Sequence, residues 1–523
     1  MMTTKALSSG PMNNIRSLFR NPAIALAAIL IYVLVDFIIL KSLDRTSVIF
    51  PLLSTLAFPP LVLAPFVTLS MPIDRRFKLL IILALLFIVM PLLGMIDGSY
   101  LELAIQICIF SGLALGLNIV VGFAGLLDLG YIAFFAVGAY LWAMFTSPVQ
   151  TYLKINNIVV PGSYLYLFMI IGVVVAAVGG ILLGLPVLRL RGDYLAIVTL
   201  GFGEMIRILA QNSDSVGNPP INFTNGSQGL DGVGRPPIPQ FLRDFVATLE
   251  KALGLDITNA QPVTQQLLFY FIAIVVIVVI LMVALRLLNS PLGRAWTAIR
   301  EDEVAAIAMG VPLVRMKLMA FAMGASFAGA IGVLYAAKQT FVSPESFSLI
   351  QSISILAMVI VGGIGSIQGV LLGACVVTLL NLQVLKNLSL QINAWRNVNA
   401  VMPQWMIIVI AVIIAFFLLR SAWKIVKPLI QRSEISNVGV FGIAGAIGLV
   451  LAAIGVVVFS LSSGDFPIRN WPTQLEPAKY ERLVFGLLLI LMMIFRPAGL
   501  LPEGRRRLEL QANKAEKQTG GEG

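Results

Sequence analysis

The stretch GLALGLNIVVGFAGLLDLGYIAFFAVGAY, Gly112–Tyr140, reads as an apolar helix, an interruption and a second apolar helix. It belongs to two apolar runs, 101–121 and 131–147, each near the roughly 20 residues that cross a bilayer. Between them Gly122, Gly125 and Gly130 crowd around Asp128. Broken helices at membrane depth persist where they line a cavity, and transporters build substrate sites from them. Gly112 and Gly116, inside the first run, read instead as close helix packing. Asn118, Gly122, Gly125, Asp128, Gly130, Tyr131 and Tyr140 are therefore candidates to line a path. A second glycine cluster, Gly362, Gly363, Gly365, Gly369 and Gly373, lies further along.

Working outward, twelve more runs qualify as spans, for fourteen in all: 22–40, 50–70, 79–96, 101–121, 131–147, 165–188, 194–211, 267–288, 318–337, 347–362, 366–385, 401–420, 438–461 and 482–497. Hydrophobic residues make up 59% of the 523 and charged residues 12%, about half the charged share of a soluble domain. The expected fold is an all-α polytopic membrane protein of about 14 spans (range 10–14), some broken or re-entrant. The net charge of +11 does not gather on a soluble domain with aromatic platforms, which argues against nucleic acid. With the N-terminus in the cytoplasm, 23 of the 36 Lys and Arg fall on the inner side, as the positive-inside rule asks. Both termini are then cytoplasmic, and the basic tail 503–523 faces lipid. The first run contains Asp36 and lacks a small-x-small cleavage site, so it is not read as a removable signal peptide.

Catalytic chemistry finds little footing. The chain has no histidine, and its two cysteines, Cys108 and Cys375, sit far apart in apolar runs. No imidazole base, Ser-His pair, CxxC motif or four-cysteine metal site is possible. A membrane enzyme is accordingly set aside. Glu204 and Arg207 are costly inside span 194–211, and their i, i+3 spacing favours pairing with each other over substrate contact. They join the candidate path residues from the opposite side. The outer loop 212–266 starts with turn-forming Asn, Gly and Pro. Its Pro239–Leu255 stretch places Phe241, Leu242, Phe245, Leu249 and Leu253 at helical spacing, an amphipathic helix for a membrane surface or a partner.

The inner loop 289–317, NSPLGRAWTAIREDEVAAIAMGVPLVRMK, predicts two short helices. Ser290 suits an N-cap and Pro291 the first position of a helix through Ile299. Glu301, Asp302 and Glu303 favour the start of a second helix, Glu303–Met309, which Gly310 ends and Pro312 keeps from continuing. Ala305, Ala306 and Ala308 would leave that helix bare for close approach by another protein, with Arg294, Arg300, Arg315 and Lys317 as charged rim.

The Ala305-Ala306-x-x-x-Gly310 spacing resembles the coupling loop of ABC importer permeases, with Val304 before Ala305 and the acidic residue one earlier, at Glu303. That departure is similar to the branched-chain amino acid importers. Longer segments carry the same resemblance: 112–140, RLRGDYLAIVTLGFGEMIR (189–207), 293–310, 343–374 and YERLVFGLLLILMMIFRPAGLL (480–501). The resemblance is to their LivM-type subunits rather than the LivH type, over about 100–385 and 480–502. It implies a permease core over 101–385, an N-terminal membrane extension over 1–100, an inserted two-span hairpin over 386–480 and a last helix over 481–502. It implies coupling to an ATPase through Glu301, Asp302, Glu303, Ala305, Ala306 and Gly310. The implied partners are two ATP-binding subunits, a LivH-type second permease subunit, a periplasmic binding protein and membrane lipid. The location is the bacterial inner membrane. ATP and Mg would sit on the partner subunits, since this chain has no Gly-x-x-x-x-Gly-Lys-Ser/Thr and binds no cofactor itself. A urea or short-amide permease has a similar architecture. An ion-coupled secondary transporter using Asp128 or Glu204 is the rival from another class, and the coupling loop argues against it.

Overall fold

Inside hydrocarbon an apolar run can satisfy its backbone only within a helix or a closed barrel. In the computed structural model the runs that fall among the described residues are helical. It describes residues 50–70, 74–149, 159–187, 193–218, 221–253, 260–385, 477–496 and 499–501, with isolated positions between 389 and 474. In chain order the α-helices are α1 (Phe50–Ser70), α2 (Arg75–Ala84), α3 (Met90–Ile96), α4 (Gly98–Asn118), α5 (Ile132–Thr146), α6 (Leu165–Val187), α7 (Asp193–Gln211) and α8 (Gln240–Leu253). There follow α9 (Ala260–Leu288), α10 (Pro291–Glu301), α11 (Glu303–Ala308), α12 (Leu313–Gln339), α13 (Leu349–Gly362), α14 (Ile367–Thr378) and α15 (Glu481–Phe495). A π turn over Leu85–Val89 joins α2 to α3, and others extend α4 (Ile119–Phe123) and α14 (Leu379–Leu385).

Among the described residues seven helical runs are long and apolar enough to cross a membrane: Arg76–Ile96, Gly98–Phe123, Gly162–Pro186, Tyr194–Gln211, Pro262–Leu288, Leu313–Gln339 and Ile367–Leu385. Phe58–Leu69, Ile132–Thr146 and Leu349–Gly362 are shorter apolar helices. The chain is thus an all-α, multi-pass membrane protein with at least seven candidate spans. The expected spans 22–40, 401–420 and 438–461 and the tail 503–523 lie outside the described residues, isolated positions apart.

The chain divides into two compact units, Met1–Val384 with Arg482–Gly523, and Leu385–Glu481. In the second, Val401–Met402 pairs antiparallel with Phe466–Pro467. In the first, α4 is the central helix, buried among α9, α12, α13 and α14. Helix α12 packs on α5 and α6 down to backbone contact. A Cβ on Gly138 would lie 2.1 Å from the Gly329 carbonyl oxygen, and one on Gly329 would lie 2.3 Å from that of Gly172. Small residues here let helices approach where lipid supplies no hydrophobic drive for association. The same reading holds at Gly112, where a Cβ would meet Ile331.

The loop after α7 is pinned to the far end of this bundle. Leu230–Asp231 (β1) pairs antiparallel with Phe341–Val342 (β2), just after α12. Trp142 of α5 donates to the Gly234 carbonyl at 3.0 Å, and the Ser147 hydroxyl to that of Asp231 at 2.5 Å. In α8 the amphipathic face divides differently from the expectation: Leu242 and Val246 are buried, whereas Phe241 and Phe245 are exposed.

Candidate functional site: two helix breaks and a docked loop

Helix α4 ends in the π turn Ile119–Phe123, whose last bonds run from Ala124 N to Ile119 O (3.1 Å) and Leu126 N to Val120 O (3.0 Å). Gly125 follows at φ 71°, the left-handed geometry that closes a helix at small cost only for glycine. Asp128 Oδ1 then accepts from Gly130 N at 2.9 Å, an Asx turn that starts α5. Asp128 is buried, and its Oδ2 has no hydrogen-bond partner among the described residues. The neighbouring Thr199 hydroxyl donates to Ala196 O and accepts from Leu129 N, both at 3.0 Å. Ser352 of α13 donates to Leu129 O at 2.5 Å. A Cβ on Gly130 would stand 1.9 Å from the Thr199 carbonyl oxygen. The segment between α4 and α5 is thus held by α7 and α13 together. Tyr131, fully buried, donates to Gly324 O of α12 at 3.0 Å, and Gly116 leaves the room for its ring oxygen.

The second glycine cluster is a second break, facing the first. Helix α13 stops at Gly362, Gly363 and Gly365 adopt φ 122° and 85°, and Ser366 caps α14 through Gly369 N at 3.1 Å. Gly365 N donates to Asn118 Oδ1 at 2.9 Å. A Cβ on Gly122 would lie 2.0 Å from that oxygen and 2.8 Å from Gly365 N. The chain after α15 also joins here: Leu500 N donates to Val361 O (2.9 Å) and Leu501 N to Gly362 O (3.0 Å).

Loop 289–317 has the two expected helices with shifted ends. Ser290 accepts from Gly293 N at 3.3 Å and caps α10, which runs to Glu301 rather than Ile299. Asp302 accepts from Val304 N (2.8 Å) and Ala305 N (3.0 Å), so it is the N-cap of α11. Helix α11 stops at Ala308, Met309 is its C-cap, and Gly310 follows at φ 82°. The bare alanine face is only partly present. Ala306 turns inward and is buried, while Val304, Ile307 and Met309 are 70%, 51% and 85% exposed. Ala305 and Ala308 stay exposed, beside an apolar edge of larger side chains.

Three of the four expected rim cations have partners within the chain; the exposed Arg294 donates to Asn289 O at 3.4 Å. Lys317 is buried and pairs with Glu303 at 2.5 Å. Arg300 donates from its guanidinium to Gly122 O at 2.5 Å, and its stem lies where a Cβ on Gly125 would meet it. Trp296, fully buried, donates to Met316 O at 2.8 Å and fixes α10 against the start of α12. The loop and the first helix break are therefore one connected assembly.

Of the expected path residues, Asn118, Gly122, Gly125, Asp128, Gly130 and Tyr131 gather at this end of the bundle, joined to the loop that carries Glu301, Asp302, Glu303, Ala305, Ala306 and Gly310. Tyr140 does not. It lies about 13 Å further along α5, beside Phe347, with its hydroxyl unpartnered among the described residues. Glu204 and Arg207 stand apart on α7 and pair with each other, Nε to Oε2, at 2.7 Å. Sequence reasoning missed Thr199, Ser352, the strap at Leu500 and Leu501, and the Glu102–Lys338 ion pair across α4 and α12. Only the last had a signal, because Glu102 is a lone acid at the start of an apolar run. Among the described residues no three or more His, Cys, Asp or Glu gather to hold a metal.

Comparison with known proteins places this geometry. A family model described as branched-chain amino acid transport system / permease component matches residues 99–418. The high-affinity branched-chain amino acid transport system permease proteins LivM of Escherichia coli and Salmonella typhimurium are 40% and 39% identical over 300 residues. Those alignments cover 56% of this chain and 66% of each relative, just under two thirds. A probable branched-chain amino acid transport permease protein LivM of Methanocaldococcus jannaschii is 24% identical over 259 residues, 48% of this chain and 65% of the relative. No solved structure matches. With the matched region reaching from α4 through α14 and holding both helix breaks and the docked loop, the chain belongs to the branched-chain amino acid transport system permease component family.

Proposed function

We propose that this chain is the membrane permease subunit of an ATP-driven importer of branched-chain amino acids. It sits in a bacterial inner membrane with both termini in the cytoplasm. A LivH-type subunit completes the path, a periplasmic binding protein delivers the substrate, and two separate subunits bind and hydrolyse ATP with Mg. The loop bearing α10 and α11 docks on an ATP-binding subunit through Glu301, Asp302, Glu303, Ala305, Ala306 and Gly310. Asn118, Gly122, Gly125, Asp128, Gly130 and Tyr131 form the inner gate of the path, while Tyr140, Glu204 and Arg207 lie along its course.

The observation that carries this reading is Arg300. It leaves the loop, reaches the helix break and hydrogen-bonds the Gly122 carbonyl. A carbonyl at the end of a helix is an anchor that moves with the backbone, so displacement of the loop pulls on the break directly. The apolar edge of Val304, Ile307 and Met309 supports docking, because an exposed apolar patch rimmed by charge is the usual mark of a protein interface.

Arg300→Met tests the link. The ATP-binding subunits should co-purify at the parental yield, while leucine uptake falls roughly 5–150-fold, the usual range for loss of coupling between sites. Parental uptake in the variant sinks the connection. Competition of that uptake by valine, polar amino acids and urea then defines the substrate class.

A further inference from the structure

At the opposite end of α4 from the breaks lies a second, chemically different site. Glu102 and Asn118 are about 24 Å apart along α4, roughly the apolar thickness of a bilayer. Around Glu102 is a cavity of about 290 Å³ lined by Arg235, Gln265, Gln266, Phe269, Lys338 and Gln339 with Ile105 and Pro262. That volume sits at the small end of the ~300–1,000 Å³ range of ligand pockets.

Its charges are arranged unusually for a simple helix staple. The Lys338 side chain is only 7% exposed and meets Glu102, whose side chain is 40% exposed. Gln106 also donates to Glu102 at 3.3 Å, and Lys338 reaches Gln339 Oε1 at 3.4 Å. The exposed Arg235 adds a second cation to the lining. The lining thus carries two cations, one carboxylate and three glutamines. A part-exposed ion pair is a weak source of stability, since solvent screens its Coulomb gain. Packing alone would be served as well by apolar residues, as it is elsewhere on α4. The deep side of the cavity is apolar: Ile105 and Phe269 are both buried.

We propose that this cavity is an amino-acid site at the outer mouth of the path. It takes a zwitterion with its carboxylate on Arg235 and Lys338, its ammonium on Glu102, and an aliphatic side chain against Ile105 and Phe269. The site rests on the transport reading above for its substrate class, but its geometry is independent of the coupling loop.

The test uses the complete transporter in liposomes with radiolabelled leucine. In the Gln339→Cys variant the thiol should react with an impermeant methanethiosulfonate from the outside, and Ala305→Cys only from the inside. Millimolar leucine should slow the Gln339→Cys reaction about tenfold, as occupancy by a ligand at about ten times its Kd would. Adding Glu102→Gln should abolish that protection. The double variant Glu102→Lys with Lys338→Glu keeps an ion pair between α4 and α12 but reverses the polarity offered to a ligand. It should assemble with its partners and fail to import leucine; parental import by the swap would show a staple and overturn the site. Unprotected labelling at millimolar leucine overturns it as well, whether or not the unsubstituted transporter imports leucine. Failure of the unsubstituted transporter to import any branched-chain amino acid strikes the transport reading alone, and the protection assay still decides the cavity.

Discussion

The two ends of α4 meet their neighbours through opposite chemistries. At the Asn118 end the contacts are short and neutral on the acceptor side, and nearly all reach backbone: Asn118 to Gly365, Thr199 and Ser352 to Leu129, Tyr131 to Gly324, Arg300 to Gly122. Glycines bring main chains together there until no side chain fits between them. At the Glu102 end the contacts join long side chains, Glu102, Gln106, Lys338 and Gln339, around a cavity. Backbone-level contacts leave little slack, so they transmit displacement. Long charged side chains around an open space can rearrange onto a solute. The difference separates the proposed mechanical end from the proposed recognising end of a single helix.

The harshest way to break the mechanical end is Gly130→Val. Its Cβ would fall 1.9 Å from the Thr199 carbonyl oxygen, so α7 and the break must part. Overpacking of this kind costs about 1–3 kcal/mol or more. The purified complex should lose several degrees of Tm or fail to accumulate. Gly201→Ala on the same α7, where a Cβ meets nothing within 4 Å, is the matched control and should leave Tm unchanged. Equal behaviour of the two variants would show that the break does not lean on α7.

A milder change adds bulk beside α11 at the cost of some backbone strain. Gly310 has φ 82° and open space around its Cβ position. Gly310→Arg should insert and fold, yet uncouple leucine uptake from ATP hydrolysis by blocking approach to α11. Gly310→Asn, which tolerates left-handed geometry, should retain most uptake. If the arginine variant transports normally, α11 is not the docked element.

The smallest expected effect is Tyr131→Phe. It removes one buried hydrogen bond, to Gly324 O, at a cost of about 1 kcal/mol. A drop in Tm with uptake preserved would mark Tyr131 as a positioning residue for α12. Lost uptake at unchanged Tm would instead place its hydroxyl in the path.

Much of the mechanical end was legible before the structure, but unevenly. Ser290 and Gly310 were readable as helix ends because capping depends on residues within one turn. Gly112 and Gly116 were readable as packing glycines because spans in lipid associate through small faces. The alanine face of α11 was legible in part: Ala305 and Ala308 are exposed, but composition does not say which side of a six-residue helix turns inward, and Ala306 does. Lys317 and Arg300 were assigned to a docking rim on charge alone. Burial reassigns the first to Glu303, and the reach of a long side chain across 178 residues of sequence gives the second to Gly122. Tyr140 and Tyr131 were both named as path residues, and a helix carries the two to different depths.

The sequence by itself determined the class of the molecule. Apolar run length and the placement of Lys and Arg require a many-span helical membrane protein, and turn and cap residues locate the two helices of loop 289–317. These follow from backbone hydrogen bonding in hydrocarbon and from interactions within four residues of one another. Tertiary structure alone decided that the glycine breaks at Gly122–Gly130 and Gly362–Gly365 face each other, that Arg300 ties the loop to the first, and that Glu102 and Lys338 meet at the far end. Each of those contacts joins residues more than a hundred positions apart, and only the packing of helices through their small faces brings such residues within reach.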